Sequence, residues 1–315
     1  MSFKTSALRA GAFSAAALLA LTACGDNGDD NGDEPDDDNG AAEETDDNGT
    51  DDNGDEGDAA GDGESLTLAL FGEEPYSWLD EGGEPTGATI AVAEEIFSDR
   101  LGYDLQVEQT DWGNLITGLN AGHWDVVSAG MSINAERCAE AAFGEPELIY
   151  QTAFLLEEGN PADVHNFEDL LDADLDVVAL SGGVESPWLE EVGVDHDTVD
   201  NAQDGIDFVE GGRADVFALT AASLEAMAGD SPGLEVTAPF THEFSVGAHT
   251  FRTEDQDLID EFNAELADLM ESGEYLDVVG EFGFTEDQIP PIELTSQELC
   301  EGDADEIAAE YGLDD

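Results

Sequence analysis

From Ser65 onward, short apolar runs alternate with amphipathic ones, and this alternation restricts the chain to a narrow set of folds. Residues 66–70 read as a strand, 89–100 as a helix, 103–110 as a strand, 112–121 as a helix and 125–129 as a strand. A second series follows after Phe154, with strands over 176–180 and 215–219 and helices over 184–192, 203–210 and 221–228. A strand over 244–252 then returns toward the first series, and a helix over 257–270 places Leu258, Phe262, Leu266 and Leu269 on one face. Strands joined through helices imply βαβ units and a mostly parallel sheet. The expected fold is α/β with two lobes, residues 65–153 and 246–315 forming the first and 154–245 the second. Two chain crossings between them leave a ligand cleft at the carboxyl ends of the strands.

Upstream of Ser65 the composition changes. Residues 25–64 carry no aromatic and no β-branched aliphatic side chain. Such a segment buries too little apolar surface to offset chain entropy, so it is expected to be a disordered, self-repelling acidic tether. Its Asp-Asn-Gly runs lack the closing glutamate and flanking helices of a calcium loop. Residues 1–24 have the order of a signal peptide, with Lys4 and Arg9, an apolar run over 10–21 that is too short to span a membrane, and small residues before Cys24. Leu21-Thr22-Ala23-Cys24 resembles the lipobox of bacterial lipoproteins, which implies a lipid on Cys24 that anchors the protein to the outer face of the cytoplasmic membrane. An ordinary signal peptide with an incidental cysteine is the alternative.

Charge then narrows the partners. The chain has 79 acidic residues against 6 lysines and arginines, a formal net charge of −73, and the region from Ser65 onward retains four arginines and no lysine among 60 acidic residues. Nucleic acid and anionic lipid headgroups both require cations to neutralise phosphate, so neither is an expected partner. Self-repulsion opposes compaction at low ionic strength, whereas molar salt shortens the screening length to about 3 Å, which points to a salt-rich habitat. Cys138 and Cys300 are a disulfide candidate in an oxidising compartment, with two free thiols as the alternative. His123, His165, His196, His242 and His249 have no metal-ligand spacing, and neither a nucleophile elbow nor a phosphate-binding loop is present. No metal, no cofactor and no catalysis are therefore expected, although a carboxylate pair remains available among so many acids.

The strand at 66–70 is followed by Glu73-Glu74-Pro75-Tyr76, Gly87, Asp111-Trp112-Gly113-Asn114-Leu115-Ile116-Thr117-Gly118-Leu119 and Trp124-Asp125-Val126-Val127. Over residues 65–290 this pattern resembles the family 3 extracellular solute-binding proteins of ABC importers. The stretches Ala129-Gly130-Met131-Ser132-Ile133-Asn134-Ala135-Glu136-Arg137-Cys138 and Phe282-Gly283-Phe284-Thr285-Glu286 are most similar to the ectoine- and hydroxyectoine-binding branch. The resemblance implies a type II periplasmic-binding-protein fold, a small zwitterionic solute, permease subunits as partners and a monomer that closes about a hinge.

It also implies roles for individual residues. Arg137 would grip a carboxylate, for which a guanidinium fork is suited, the alternative being an internal salt bridge. Tyr76 and Trp112 would wall the solute's cation, or else serve as core. Glu73 or Glu74 would complement that cation. Ser132 stands where the branch presents a third ring, leaving the aromatic cage open unless another ring such as Trp188 fills the gap. The turn at Gly182, Gly183 and Val184 leads into a helix whose free N–H groups suit the carboxylate. Thr220 stands where binders of common α-amino acids carry an aspartate. A polar amino acid of the glutamine or arginine type is the alternative solute, and an enzyme or a sensor on the same fold the alternative function.

Overall fold

The computed structural model describes residues 64–313, so the leader, Cys24 and the acidic segment before Glu64 lie outside the described residues. Eight principal strands form the frame. They are β1 (Ser65–Leu70), β2 (Asp104–Gln109), β3 (Val126–Ser132), β4 (Leu148–Glu157), β5 (Val177–Leu180), β6 (His196–Val199), β7 (Val216–Thr220) and β8 (Phe240–Phe251). All seven side chains of β3 are buried. Its small and apolar residues on both faces are those of a strand covered on both sides.

The strands run in the order β2-β1-β3-β8-β4-β7-β5-β6. In the first half β1 is parallel to β2 and to β3, with Leu68 opposite both Val107 and Val126. In the second half β5 is parallel to β6 and to β7. Between these parallel sets stand β4 and β8, antiparallel to one another and to the strands they flank. The chain leaves the first lobe along β4 and returns along β8, which are the two expected crossings. The pairing of β8 shifts register between Ala248 and Thr250 on one side and between Phe240 and Ser245 on the other. Such irregularities bend a strand, and here they fall on the strands that join the lobes.

Several helices depart from expectation. Residues 89–100 read as one α-helix, but only Ala88–Ala93 is α-helical, and Glu94–Arg100 is wound as a π-helix. The wider turn buries the adjacent residues Ile96 and Phe97 together. In the helix Gln256–Ser272 the seam is Ile259, Phe262, Leu266 and Leu269, and Leu258 is only half-buried. Steps of three, four and three residues keep Ile259 in line with Phe262, which leaves Leu258 beside the stripe. The short helices Glu274–Gly280, Ser296–Glu301 and Ala304–Tyr311 are not signalled by the sequence pattern.

The first lobe packs around Leu68, Phe97, Val126, Phe251 and Phe262. The second packs around Phe154, Phe167, Trp188, Leu189 and Val216. A disulfide joins Cys138 to Cys300, with the Cα atoms 5.7 Å apart, and so ties the C-terminal segment to the turn after β3. A buried polar network lies beneath this surface. The Glu147 carboxylate accepts the backbone N–H of His249 at 2.6 Å and approaches Nδ1 at 2.8 Å, and Nε2 lies 2.9 Å from Ser128 Oγ. This is the order of a hydrolytic relay, but all three groups are buried and none borders a described cavity. The network braces β3 against β8 and the turn entering β4. Among the described residues no helix is long and apolar enough to cross a membrane, and no group of metal-ligating side chains occurs.

Candidate functional site

Strand β3 ends at Ser132, and the Asn134 side chain caps the short helix Ala135–Cys138 by accepting the Arg137 N–H at 2.9 Å. This turn aims the half-buried Arg137 side chain back along the strand end. Its Nη1 donates to the Ser132 carbonyl at 2.9 Å, and its Nη2 donates to the Gly182 carbonyl at 2.8 Å. Trp112, in the single 3-10 turn before Leu115–Asn120, lies with its ring centroid 5.5 Å from Arg137 Cζ. Its Nε1 also donates to the Gly182 carbonyl, at 2.8 Å. Two donors of the first lobe therefore converge on one acceptor of the second. Gly182 has φ +80°, and a Cβ there would stand 3.1 Å from Trp112 Cδ1, so both backbone and space call for glycine.

Within this turn the Gly183 N–H is taken by the Leu180 carbonyl at 3.0 Å, and the Gly182 carbonyl is turned toward Trp112 and Arg137.

Between the lobes lies a small cavity of about 30 Å³. Glu73, Tyr76, Trp112, Ser132 and Arg137 line it from the first lobe, and Gly183, Val184 and Thr220 from the second. Gly182 itself is not part of the lining and meets the site through its carbonyl. Glu73, rather than Glu74, faces the cavity. Its carboxylate accepts Thr220 Oγ1 at 3.2 Å and a short hydrogen bond from Ser223 Oγ. Thr220 thus serves to hold a carboxylate of the opposite lobe.

Two further polar residues of the lining were not singled out in the sequence, namely Tyr150 on β4 and Glu185 at the start of the helix Glu185–Val192, and Ala129, Gly130, Leu180 and Leu219 make up the rest. Tyr150 meets Tyr76 edge-on with centroids 5.1 Å apart, and its hydroxyl donates to the Gly130 carbonyl at 2.8 Å. A Cβ at Gly130 or Gly247 would come within 2.6 or 2.0 Å of that hydroxyl, so the two glycines make room for the ring. Trp188 does not supply the third ring. Its Nε1 donates to Glu243 at 2.8 Å and its indole packs with Phe167 and His242, away from the cavity. Ser132 Oγ accepts a hydrogen bond from Ser245 at 2.9 Å.

The electrostatics of the cavity are unusual for so acidic a chain. Arg100 is held by Glu95, Glu265 and Glu274, and Arg252 by Asp125 and Asp255. Arg137 donates to two backbone carbonyls and forms no ion pair among the described residues. Enclosure pushes its guanidinium down to about 10, which leaves it charged at neutral pH. Burial pushes Glu73 up to about 7, against the opposing pull of its hydrogen bonds from Ser223 and Thr220. Burial likewise pushes Glu185 up to about 7, against a hydrogen bond from its own backbone N–H and the pull of Arg137, while nearby Glu73 adds to the rise.

A raised carboxyl group stabilises the fold below its unfolded value, and that stabilisation is lost as pH climbs through its folded value. The groups facing Glu73 are Glu185, Arg137, Tyr76 and Tyr150. Between pH 4.5 and 7.5 the wild type is expected to lose on the order of 3 kcal/mol relative to Glu73→Gln, as read by denaturant unfolding. A stability difference that does not vary with pH would contradict the buried, ionisable Glu73.

A larger open groove borders Ile149, Gln151, Ala221, Phe282 and Leu313, but its lining holds no arginine, lysine or histidine. The smaller cavity is where a cation, two carboxylates and three rings converge.

Comparison with known proteins agrees with this architecture. Residues 66–283 match the model of bacterial extracellular solute-binding proteins, family 3. The chain is 30% identical over 249 residues to a probable amino-acid ABC transporter periplasmic-binding protein of Sinorhizobium fredii, covering 75% of this chain and 82% of that one. Among solved structures it is similar to EhuB in complex with hydroxyectoine, with a TM-score of 0.69 and 33% identity over 75% of this chain and 93% of the other. It is also similar to a mutant of the arginine-binding protein ArgBP from T. maritima, with a TM-score of 0.64 and 25% identity over 70% and 95% of the two chains. With two lobes joined by two strands, a polar cavity between them and a family match over most of its length, the chain belongs to the family 3 bacterial extracellular solute-binding proteins.

Proposed function

We propose that this protein captures a small zwitterion, of the ectoine or hydroxyectoine kind, outside the cell and delivers it to the permease of an ABC importer. The observation that carries this reading is Arg137, a guanidinium without an ion pair among the described residues, in a cavity walled by Trp112, Tyr76 and Tyr150. A carboxylate suits its unused N–H groups, and a delocalised cation suits the rings, which contribute on the order of 0.5 to 2 kcal/mol. Similarity to EhuB, solved with hydroxyectoine, supports the same class of solute. A second reading, a polar amino acid of the arginine type, is favoured by two buried carboxylates in one cavity and by the similarity to ArgBP.

In this proposal residues 65–153 and 246–315 form one lobe and 154–245 the other, and the solute closes them by touching both. Cys24 carries the lipid anchor and residues 25–64 are the tether, which places a monomer on the outer face of the cytoplasmic membrane. Protein–solute contact without turnover is the expected chemistry.

Thermal unfolding in molar salt with ectoine, hydroxyectoine, glycine betaine, proline, glutamine and arginine tests the reading. Solute at 100 times its Kd stabilises the native state by about 2.7 kcal/mol, so a binder is expected to raise the unfolding temperature by several degrees. A set of six unshifted curves would overturn it.

A further inference from the structure

Resting on the solute-binding reading above, we infer that Glu185 determines specificity by accepting an N–H from the solute's cationic group. The site then selects zwitterions whose cation bears N–H, such as amidinium, guanidinium or primary and secondary ammonium, and rejects quaternary ammonium zwitterions.

Three observations lead there. Glu185 is only 2% exposed and lines the cavity, and its Oε1 has no hydrogen-bond donor among the described residues. A buried acceptor left without a donor costs on the order of 1 to 3 kcal/mol, more when charged, so its persistence calls for a partner. Glu73, the other carboxylate of the cavity, is by contrast already supplied by Ser223 and Thr220. Third, Glu185 and Arg137 line the same cavity, yet no ion pair joins them. A molecule carrying a carboxylate at one end and an N–H cation at the other bridges them, satisfying the guanidinium and the bare carboxylate oxygen together.

The rings do not make this distinction. Trp112, Tyr76 and Tyr150 attract any cation, methylated or not. A trimethylammonium group brings charge but no proton to share, and would set methyl groups against an unsatisfied oxygen. The competing explanation for Glu185 is that it merely complements the positive end of the helix it opens, a role worth about 0.3 to 1 kcal/mol of stability and nothing in affinity.

Titration calorimetry of the full chain in molar salt separates these roles. The probes are ectoine and L-arginine, whose cations carry N–H, and glycine betaine and N,N-dimethyl-L-proline, whose cations carry none. The wild type is expected to bind at least one of the first pair and neither of the second. Glu185→Gln is expected to lower the affinity for that solute about 30-fold while leaving the unfolding temperature within a few degrees. Unchanged affinity in Glu185→Gln, or binding of either quaternary solute as tight as that of ectoine or arginine, would overturn the assignment. Should the variant fail to fold, the four wild-type titrations decide alone. Arg137→Ala separates the two levels of argument. Loss of affinity in that variant but not in Glu185→Gln removes only the present assignment, the opposite result removes the carboxylate reading of Arg137, and failure of all four solutes to bind removes the present assignment, the solute-binding reading falling with it only if hydroxyectoine, proline and glutamine also fail.

Discussion

Replacing Arg137 with alanine is expected to weaken solute binding by about 2 to 5 kcal/mol, because a charge pair in an enclosed site loses both its attraction and its hydrogen bonds when one partner is truncated. The geometry explains why the loss would be so large. A guanidinium carries five N–H groups in a planar fork, and the two carbonyls of Ser132 and Gly182 leave the remainder of that fork available. Arg137→Lys is expected to recover only part of the loss, since a point charge does not reproduce bidentate contact. Calorimetry that finds alanine as good as arginine would remove the carboxylate from this position. An unchanged unfolding temperature in the same variant would show that the effect belongs to binding.

Removing the disulfide is the second large effect. Cys138 and Cys300 are 162 residues apart in sequence, so the bond closes a loop that encompasses the second lobe and both crossings. Chain-entropy arguments give about 5 kcal/mol for a loop of this length, and measured losses of native disulfides fall at about 2 to 5 kcal/mol. Cys300→Ser is expected to lower stability within that range, as read by denaturant unfolding in molar salt. Equal midpoints for the oxidised protein and the variant would show that the C-terminal segment is held by packing alone. Solute affinity is also expected to fall modestly, because the bond neighbours Arg137 and fixes the turn that aims it.

The parallel cores were legible because strands covered on both faces leave continuous apolar runs, as in 177–180, and because the helices between them carry an apolar stripe. Strand β4 was not legible. Its sequence, Leu-Ile-Tyr-Gln-Thr-Ala-Phe-Leu-Leu-Glu, lies partly in each lobe, so no single face keeps a period. The π-helical turn at Glu94–Arg100 has no residue signature of its own.

At the site, Arg137 stood out because the region from Ser65 onward carries four arginines among 60 acidic residues, and Trp112 because its motif resembles that of the family. Glu185 was hidden among 79 acidic residues, since burial and the lack of a donor are properties of its surroundings. Tyr150 was hidden because its direction depends on the register of a crossing strand. The glycines at 182 and 183 were visible, but which atoms they present depended on a turn whose N–H is satisfied internally.

The bond from Trp112 Nε1 to the Gly182 carbonyl has an optical consequence. Trp124 and Trp188 bond to Leu115 and Glu243 instead, and neither reaches the Gly182 carbonyl. Any motion that parts the lobes strips Trp112 of its acceptor and wets the ring, which alters indole emission. The molecule thus contains its own fluorescent gauge of closure, placed at the rim where a solute would enter, and needs no attached dye.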